Sequence, residues 1–185
     1  MPIQGWTLRE AAQRFCDHVN YVLTRTVTQT RLVVFEVPPR IQVTFRQAGQ
    51  PIEARLQTRF GLMRLYLGQV CESVTTPDGM HELRTIGYRY TLTPGDTTEP
   101  LLRWEYLKIP PAGALWCRHH LQGPVELQIH EHSVSLNDLH LPSGYVPFEE
   151  VLRFCIVDHG VPPLSEDWDA VLRDSYERFK TEFTR

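Results

Sequence analysis

Arg40-Ile41-Gln42-Val43-Thr44-Phe45-Arg46 and, after Gln47-Ala48-Gly49-Gln50-Pro51, Ile52-Glu53-Ala54-Arg55-Leu56-Gln57-Thr58-Arg59-Phe60 form the stretch whose reading decides the fold. Ile41, Val43 and Phe45 alternate with Arg40, Gln42, Thr44 and Arg46. Ile52, Ala54, Leu56 and Phe60 stand opposite Glu53, Arg55, Gln57 and Arg59. Side chains on a strand point to its two faces in turn, so each run has an apolar face for a core and a polar face for solvent. The turn at 47–50 predicts an antiparallel hairpin with one buried face and one arginine-bearing face.

The same pattern extends outward. Arg31–Val37 is rich in Val and Phe and predicts a strand before the hairpin. Gly61 marks a bulge or bend, and Leu62–Val70 continues as a strand. Thr76-Pro77-Asp78-Gly79 and Pro94-Gly95-Asp96 are turn signals on either side of a strand at His81–Leu92. Further strands are expected at Leu101–Leu107, Leu115–Leu121 and Val125–His132, with residues 133–146 irregular.

Helices bracket this region. Thr7 and Glu10 fit a capping box opening a helix over about 8–23, with Trp6 placed to staple onto Ala11. Leu8, Ala11, Ala12, Phe15, Val19 and Val22 give it one apolar face. Pro147 can start a second helix over about 147–159, with Gly160 just past its end. Ser165 can cap a third over about 166–182, whose apolar face would be Trp168, Val171, Leu172 and Phe179. The expectation is a single α+β domain spanning 1–185, built on a predominantly antiparallel sheet of about eight strands across 31–132, with one N-terminal and two C-terminal helices.

Composition narrows the function classes. The 185 residues are 42% hydrophobic and 22% charged, with net charge −3. That excludes a disordered chain, a collagen-like repeat and a bulk nucleic-acid coat. Cys16, Cys71, Cys117 and Cys155 form no close pair, so no zinc knuckle or redox motif is visible. The chain opens Met-Pro-Ile-Gln-Gly-Trp without a basic region leading into an apolar run, and no stretch reaches membrane-span length. A cytoplasmic protein with reduced thiols and no membrane partner is expected. Charge is unevenly spread. Arg40, Arg46, Arg55, Arg59 and Arg64 face a lone acid, Glu53, within 40–70, whereas acids predominate over 126–185. A basic sheet face beside an acidic tail can bind an anion or a partner chain, and it is also what a solvated sheet face looks like.

Histidine is over-represented late in the chain. His119, His120, His130, His132 and His140 fall within a short span. Imidazole exchanges protons near neutral pH and ligates metals. His130-Glu131-His132, on a strand, would put two imidazoles on one face with Glu126 and Gln128, and Leu127 and Ile129 on the other. Those imidazoles suit a divalent metal, a proton-transfer pair or an exposed polar face; Asp138 and His140 are candidate completing groups. In Arg118-His119-His120, alternation separates Arg118 and His120, with Trp116, from His119, with Leu115 and Cys117. On a regular strand only one of the two histidines can serve a given pocket. Arg103 and Glu105 share a face one strand earlier. Arg, Glu and His gathered on one sheet face can hold a phosphodiester and move protons; a cross-strand salt bridge uses the same residues.

Tyr88-Arg89-Tyr90, then Arg103-Trp104-Glu105-Tyr106, His119-His120 and a short C-terminal helix follow an order that resembles the TumE-like toxin components of bacterial type II toxin–antitoxin modules, over about residues 84–160. The family commonly has a further histidine after the His-His pair, where this chain has Leu121 and Gln122, and its members are shorter. The resemblance implies a helix-turn-helix antitoxin as partner and no particular reaction.

Three functions follow as expectations. The first is a toxin-like, histidine-dependent phosphodiesterase acting on RNA or another phosphodiester. In it Arg103, Glu105, His119, His120, His130 and His132 are the catalytic candidates, and Arg55, Arg59 and Arg118 bind the anion. The second is a non-catalytic module whose acidic helices contact a basic partner. The third is a metal site built on His130 and His132.

Overall fold

The structure is a computed structural model. It describes residues 3–113, 117–137 and 139–183, with backbone alone for residues 127, 129 and 179–183. The expected positions of Leu115, Trp116 and Asp138, and the expected facings of the Leu127, Ile129 and Phe179 side chains, lie outside the described residues.

In chain order the elements are β1 (Gln4–Gly5), α1 (Leu8–Thr26), β2 (Leu32–Val37), β3 (Arg40–Gln47), β4 (Gln50–Pro51), β5 (Ala54–Thr58), β6 (Gly61–Thr75) and β7 (His81–Pro94). There follow β8 (Leu102–Leu107), β9 (His119–Gln122), β10 (Glu126–Ile129), β11 (His132–Ser135), β12 (Leu141–Pro142), α2 (Phe148–Val157) and α3 (Trp168–Phe183). The fold is α+β, with one helix at the N-terminal end, two at the C-terminal end and an antiparallel sheet between. The main path through the sheet runs β12-β9-β8-β7-β6-β3-β2. β10 and β11 form a separate two-stranded ribbon.

Residues of one parity face the helices. Val43 and Phe45 of β3, Leu65 and Leu67 of β6, Tyr90 and Leu92 of β7 and Trp104 of β8 pack with Phe15, Val19, Leu152 and Leu172 from the three helices. The opposite face carries no helix. It presents Thr44, Tyr66, Arg64, Arg89, Thr91, Arg103, Glu105 and His120, the polar half of each alternation.

The decisive stretch alternates as expected through Thr58, but Phe60, expected on the buried face, lies exposed in the turn after β5, and the strands pair differently. β3 turns at 47–50 and pairs only briefly with β4, through Arg46 opposite Pro51 and Gln47 opposite Gln50. β5 then pairs with β6, Ala54 opposite Leu65 and Thr58 opposite Gly61, not with β3. β6 is long enough to carry β5 on its first half and β3 on its second. The Ile52 N–H still bonds the Phe45 carbonyl at 3.2 Å, and beyond it the chain leaves β3 for β6. Of the bulge or bend expected at Gly61 the structure has the bend; its φ of +101° lets it close the tight Arg59-Phe60 turn. The real bulge lies at Val70/Cys71, opposite Ile86.

Helix ends differ in instructive ways. Thr7 caps α1, its Oγ1 accepting the Glu10 N–H at 3.0 Å, while the Glu10 carboxylate accepts the Trp6 N–H at 2.8 Å. Trp6 stays exposed and makes no staple. α1 runs past its expected end to Thr26, and there Thr24 and Thr26 turn their hydroxyls back to donate to the Asn20 and Val22 carbonyls, both at 2.8 Å. Pro147 is the N-cap of α2, and Gly160 beyond its end has φ +69°. Ser165 does not cap α3; its hydroxyl donates to the Arg25 carbonyl at 2.7 Å and ties the segment to the end of α1.

Candidate functional site

Register builds the site. Arg89 on β7 stands opposite Glu105 on β8, and Glu105 stands opposite His120 on β9. One row over, Arg103 stands opposite Gln122. All five lie on the helix-free face, because directly opposed residues share a face. Gly123 lets the two strands close up beyond this row: a Cβ there would collide with the Leu101 carbonyl oxygen.

Glu105 is the hub. Arg89 hydrogen-bonds one carboxylate oxygen. The other lies 3.3 Å from Nε of Arg103, an ion-pair contact, and 3.4 Å from Nε2 of His120. Exposure grades across the row, from 2% for the His120 side chain through 14% for Glu105 to 59% for Arg89. On its far side His120 has Nδ1 3.1 Å from the Cys117 carbonyl. A carbonyl only accepts, so Nδ1 carries a proton, and a second proton on Nε2 would turn the Glu105 contact into a full ion pair.

His140 completes the group from a loop. Its ring centroid lies 4.8 Å from that of His120. Arg103, donor only, bonds the side-chain oxygen of Gln122 and so sets the orientation of that amide. The Gln122 amide nitrogen then donates to the Asn137 carbonyl at 3.2 Å and to Nε2 of His140 at 3.3 Å. Nε2 of His140 is thereby held as an acceptor, the neutral form. Partial burial and then the charges of His120 and Arg103 lower the His140 pKa below the ordinary imidazole range.

The other candidates are dispersed. His119 points to the helix side of the sheet, stacked on Tyr106 with centroids 4.2 Å apart. Its Nδ1 is 3.2 Å from the Tyr88 hydroxyl, which also accepts the Val146 N–H. Burial, then the neighbouring His120 and Arg118, lower its pKa. His119 and His120 thus serve opposite faces of β9, as alternation requires.

His130 and His132 do not share a strand face. The chain reverses between them, Ile129 pairing with His132, and His130 sits in that turn with φ +54°. The expected strand over Val125–His132 is therefore a hairpin, and both imidazoles are exposed on it. Among the described residues no three His, Cys, Asp or Glu side chains are grouped to hold a metal ion. Arg55 is exposed on the helix-free face opposite Arg64, whereas Arg59 lies in the β5–β6 turn, its N–H bonded to the His159 carbonyl at 2.9 Å. Arg118 is exposed just before β9.

Sequence reading missed a second polar cluster. The Ser175 hydroxyl donates to Glu149 at 2.5 Å and accepts from Nε2 of His18 at 2.9 Å. It joins α1, α2 and α3 through their buried faces. Burial pushes the Glu149 carboxyl up to about 7, against the pull of Ser175, and brings His18 down to about 4 with help from Arg178. A polar residue on an otherwise apolar helix face was the available signal: Glu149 falls beside Phe148 and Leu152.

Among the described residues no helix is long and apolar enough to cross a membrane. Comparison with protein-family models, with curated proteins and with solved structures finds no match for this chain.

Proposed function

We propose that the helix-free face of the sheet binds an RNA phosphodiester and that the chain is a toxin-like phosphodiesterase using histidine to move protons. One observation carries this reading: Arg103, Glu105, His120, Gln122 and His140 converge at the β8–β9 end of an arginine-bearing face. Arg103 and Arg89 supply guanidinium groups for phosphate oxygens. Neutral His140 has its one lone pair at Nε2, so the attacking hydroxyl takes the place of the Gln122 amide there and gives its proton to that nitrogen. His120 is too buried to touch the substrate and acts as a positioning residue between Glu105 and His140. Arg55 and Arg64 extend the positive face along β5 and β6 and steer the anion. The toxin resemblance carries no reaction of its own and adds a helix-turn-helix antitoxin as the regulator.

Purified protein incubated with labelled single-stranded RNA tests it. Cleavage lost in His140→Ala, and reduced toxicity on expression of His120→Ala, are expected. Intact RNA with unchanged toxicity of both variants would overturn the proposal.

A second reading has its own observation. An open groove of about 280 Å³ between β8 and α2 has Trp104 and Phe154 as its aromatic floor and Glu150 and Asp158 in its lining beside Arg153, whose guanidinium is paired with Asp169. An aromatic floor with carboxylates suits a cationic side chain of a partner protein. In this reading the chain is a non-catalytic binding module. It predicts a complex with a basic partner that survives His140→Ala and is lost with Glu150→Lys.

A further inference from the structure

β2 ends the sheet on one side. At the opposite end the last strand, β12, is only Leu141–Pro142, and its proline cannot donate to a further strand. β2 is six residues long, Leu32-Val33-Val34-Phe35-Glu36-Val37, with neither lysine nor proline within it, and the Arg46 guanidinium of β3 lies over its Phe35 ring, 3.9 Å from the centroid. Val33, Phe35 and Val37 are 39%, 38% and 47% exposed, all on the helix-free face.

The backbone of this edge can be read residue by residue. The side chain of Asn20, on α1, accepts the Leu32 N–H at 2.7 Å and donates to the Leu32 carbonyl at 3.0 Å. Leu32 therefore points its backbone groups away from β3. In an antiparallel ladder those groups alternate in direction, so Val34 and Glu36 also point theirs outward, while Val33, Phe35 and Val37 bond to β3. The tight turn agrees: Val37 and Arg40 close the β2–β3 hairpin around Pro38-Pro39. Outward pairing capacity is thus bounded by Leu32, satisfied by Asn20, and by Pro38, which has no N–H.

We propose that β2 pairs antiparallel with β2 of a second copy of this chain, about a twofold axis at Phe35. In this register Val34 lies opposite Glu36 of the second copy, and both outward residues of each chain form doubly hydrogen-bonded pairs. Phe35 meets Phe35 of the second copy in the closer, non-hydrogen-bonded type of pair, and Val33 meets Val37. The apolar pattern reads the same in both directions, as an isologous contact requires. Other registers are worse. Centring on Val34 sets Glu36 against the already satisfied Leu32. Centring on Glu36 opposes two carboxylates and sets Val34 against Pro38. Shifts of one residue place helices on both faces of the joined sheet and strand Phe35 against the inward-facing set. The chosen register joins the helix-free faces of two copies into one surface.

Sedimentation of the full chain at about 100 µM reads the state directly. A species of twice the chain mass is expected for the natural sequence, and the chain mass for Phe35→Lys. A chain sedimenting as monomer overturns the proposal. Phe35→Cys in a Cys117→Ser background gives a second measurement that does not depend on the lysine variant folding, since the remaining cysteines are buried. Diamide, which takes up the two electrons and two protons released, should join Phe35→Cys chains into a disulfide dimer. Val33→Cys alone should stay uncrosslinked, and Val33→Cys with Val37→Cys should crosslink. Crosslinking of Val33→Cys as readily as Phe35→Cys, or none in Phe35→Cys, overturns the register.

Discussion

Nε2 of His120 stands 3.4 Å from the Glu105 carboxylate, on a ring whose other nitrogen is held by a backbone carbonyl. The carboxylate also gathers Arg89 and Arg103, so removing its charge leaves cationic groups facing one another across a half-enclosed site. Glu105→Gln is expected to lower unfolding free energy in urea by about 1–3 kcal/mol, less than for a fully enclosed pair because Arg89 is largely in water. RNA cleavage should fall with it.

Gln122 sets the state of His140 through its amide, and Arg103 sets the amide. Gln122→Glu replaces a donor to Nε2 with an acceptor. The His140 imidazole should then titrate at higher pH than in the natural chain, followed by NMR of the ring protons. The activity profile against pH should move in the same direction if His140 is the proton acceptor.

The buried knot of His18, Ser175 and Glu149 makes stability depend on pH in two opposing ways. The Glu149 carboxyl, raised from 4.5 to about 7, keeps a proton in the native state that the unfolded chain has lost. Its contribution, about 3 kcal/mol, is full below the unfolded value and disappears as pH rises through the folded one. The His18 imidazole, lowered from 6.5 to about 4, is neutral in the native state while the unfolded chain is protonated, so its contribution disappears as pH falls through that window. The two slopes oppose each other between 4.5 and 6.5, and above 6.5 only the Glu149 slope remains. Glu149→Gln should unmask the His18 slope: its melting temperature should drop steadily below pH 6.5, where the natural chain changes little.

Asn20 stands in for a strand at the start of β2. Asn20→Ala leaves the Leu32 N–H without its partner in a buried place, an expected cost of about 1–3 kcal/mol in chemical unfolding. Asn20→Asp keeps the acceptor for that N–H and should recover part of the loss.

Alternation was legible wherever one face of a strand is buried and the other is not. It gave the facings of β3 and β5, the separation of His119 from His120, and the shared face of Arg103 and Glu105. Pairing partners were not legible, because period two says which way a side chain points and not which strand lies beside it. The turn at 47–50 points to β3 as the partner of β5, whereas β5 pairs with β6. The His130-Glu131 turn was hidden because it has neither glycine nor proline, and His130 itself takes the left-handed conformation. His140 joins the site from a segment with no period at all, and only tertiary placement brings it over Gln122.

β6 and β7 face one another from Met63 opposite Pro94 to Thr75 opposite His81, a ribbon closed by a local turn. Such a ribbon can assemble early, because its ends are near in sequence, and open last. Amide hydrogens along it should exchange with deuterium most slowly. The β8–β9 flank and the β2 flank hang from its two margins, so either can fray and re-zip while the central spine stays shut.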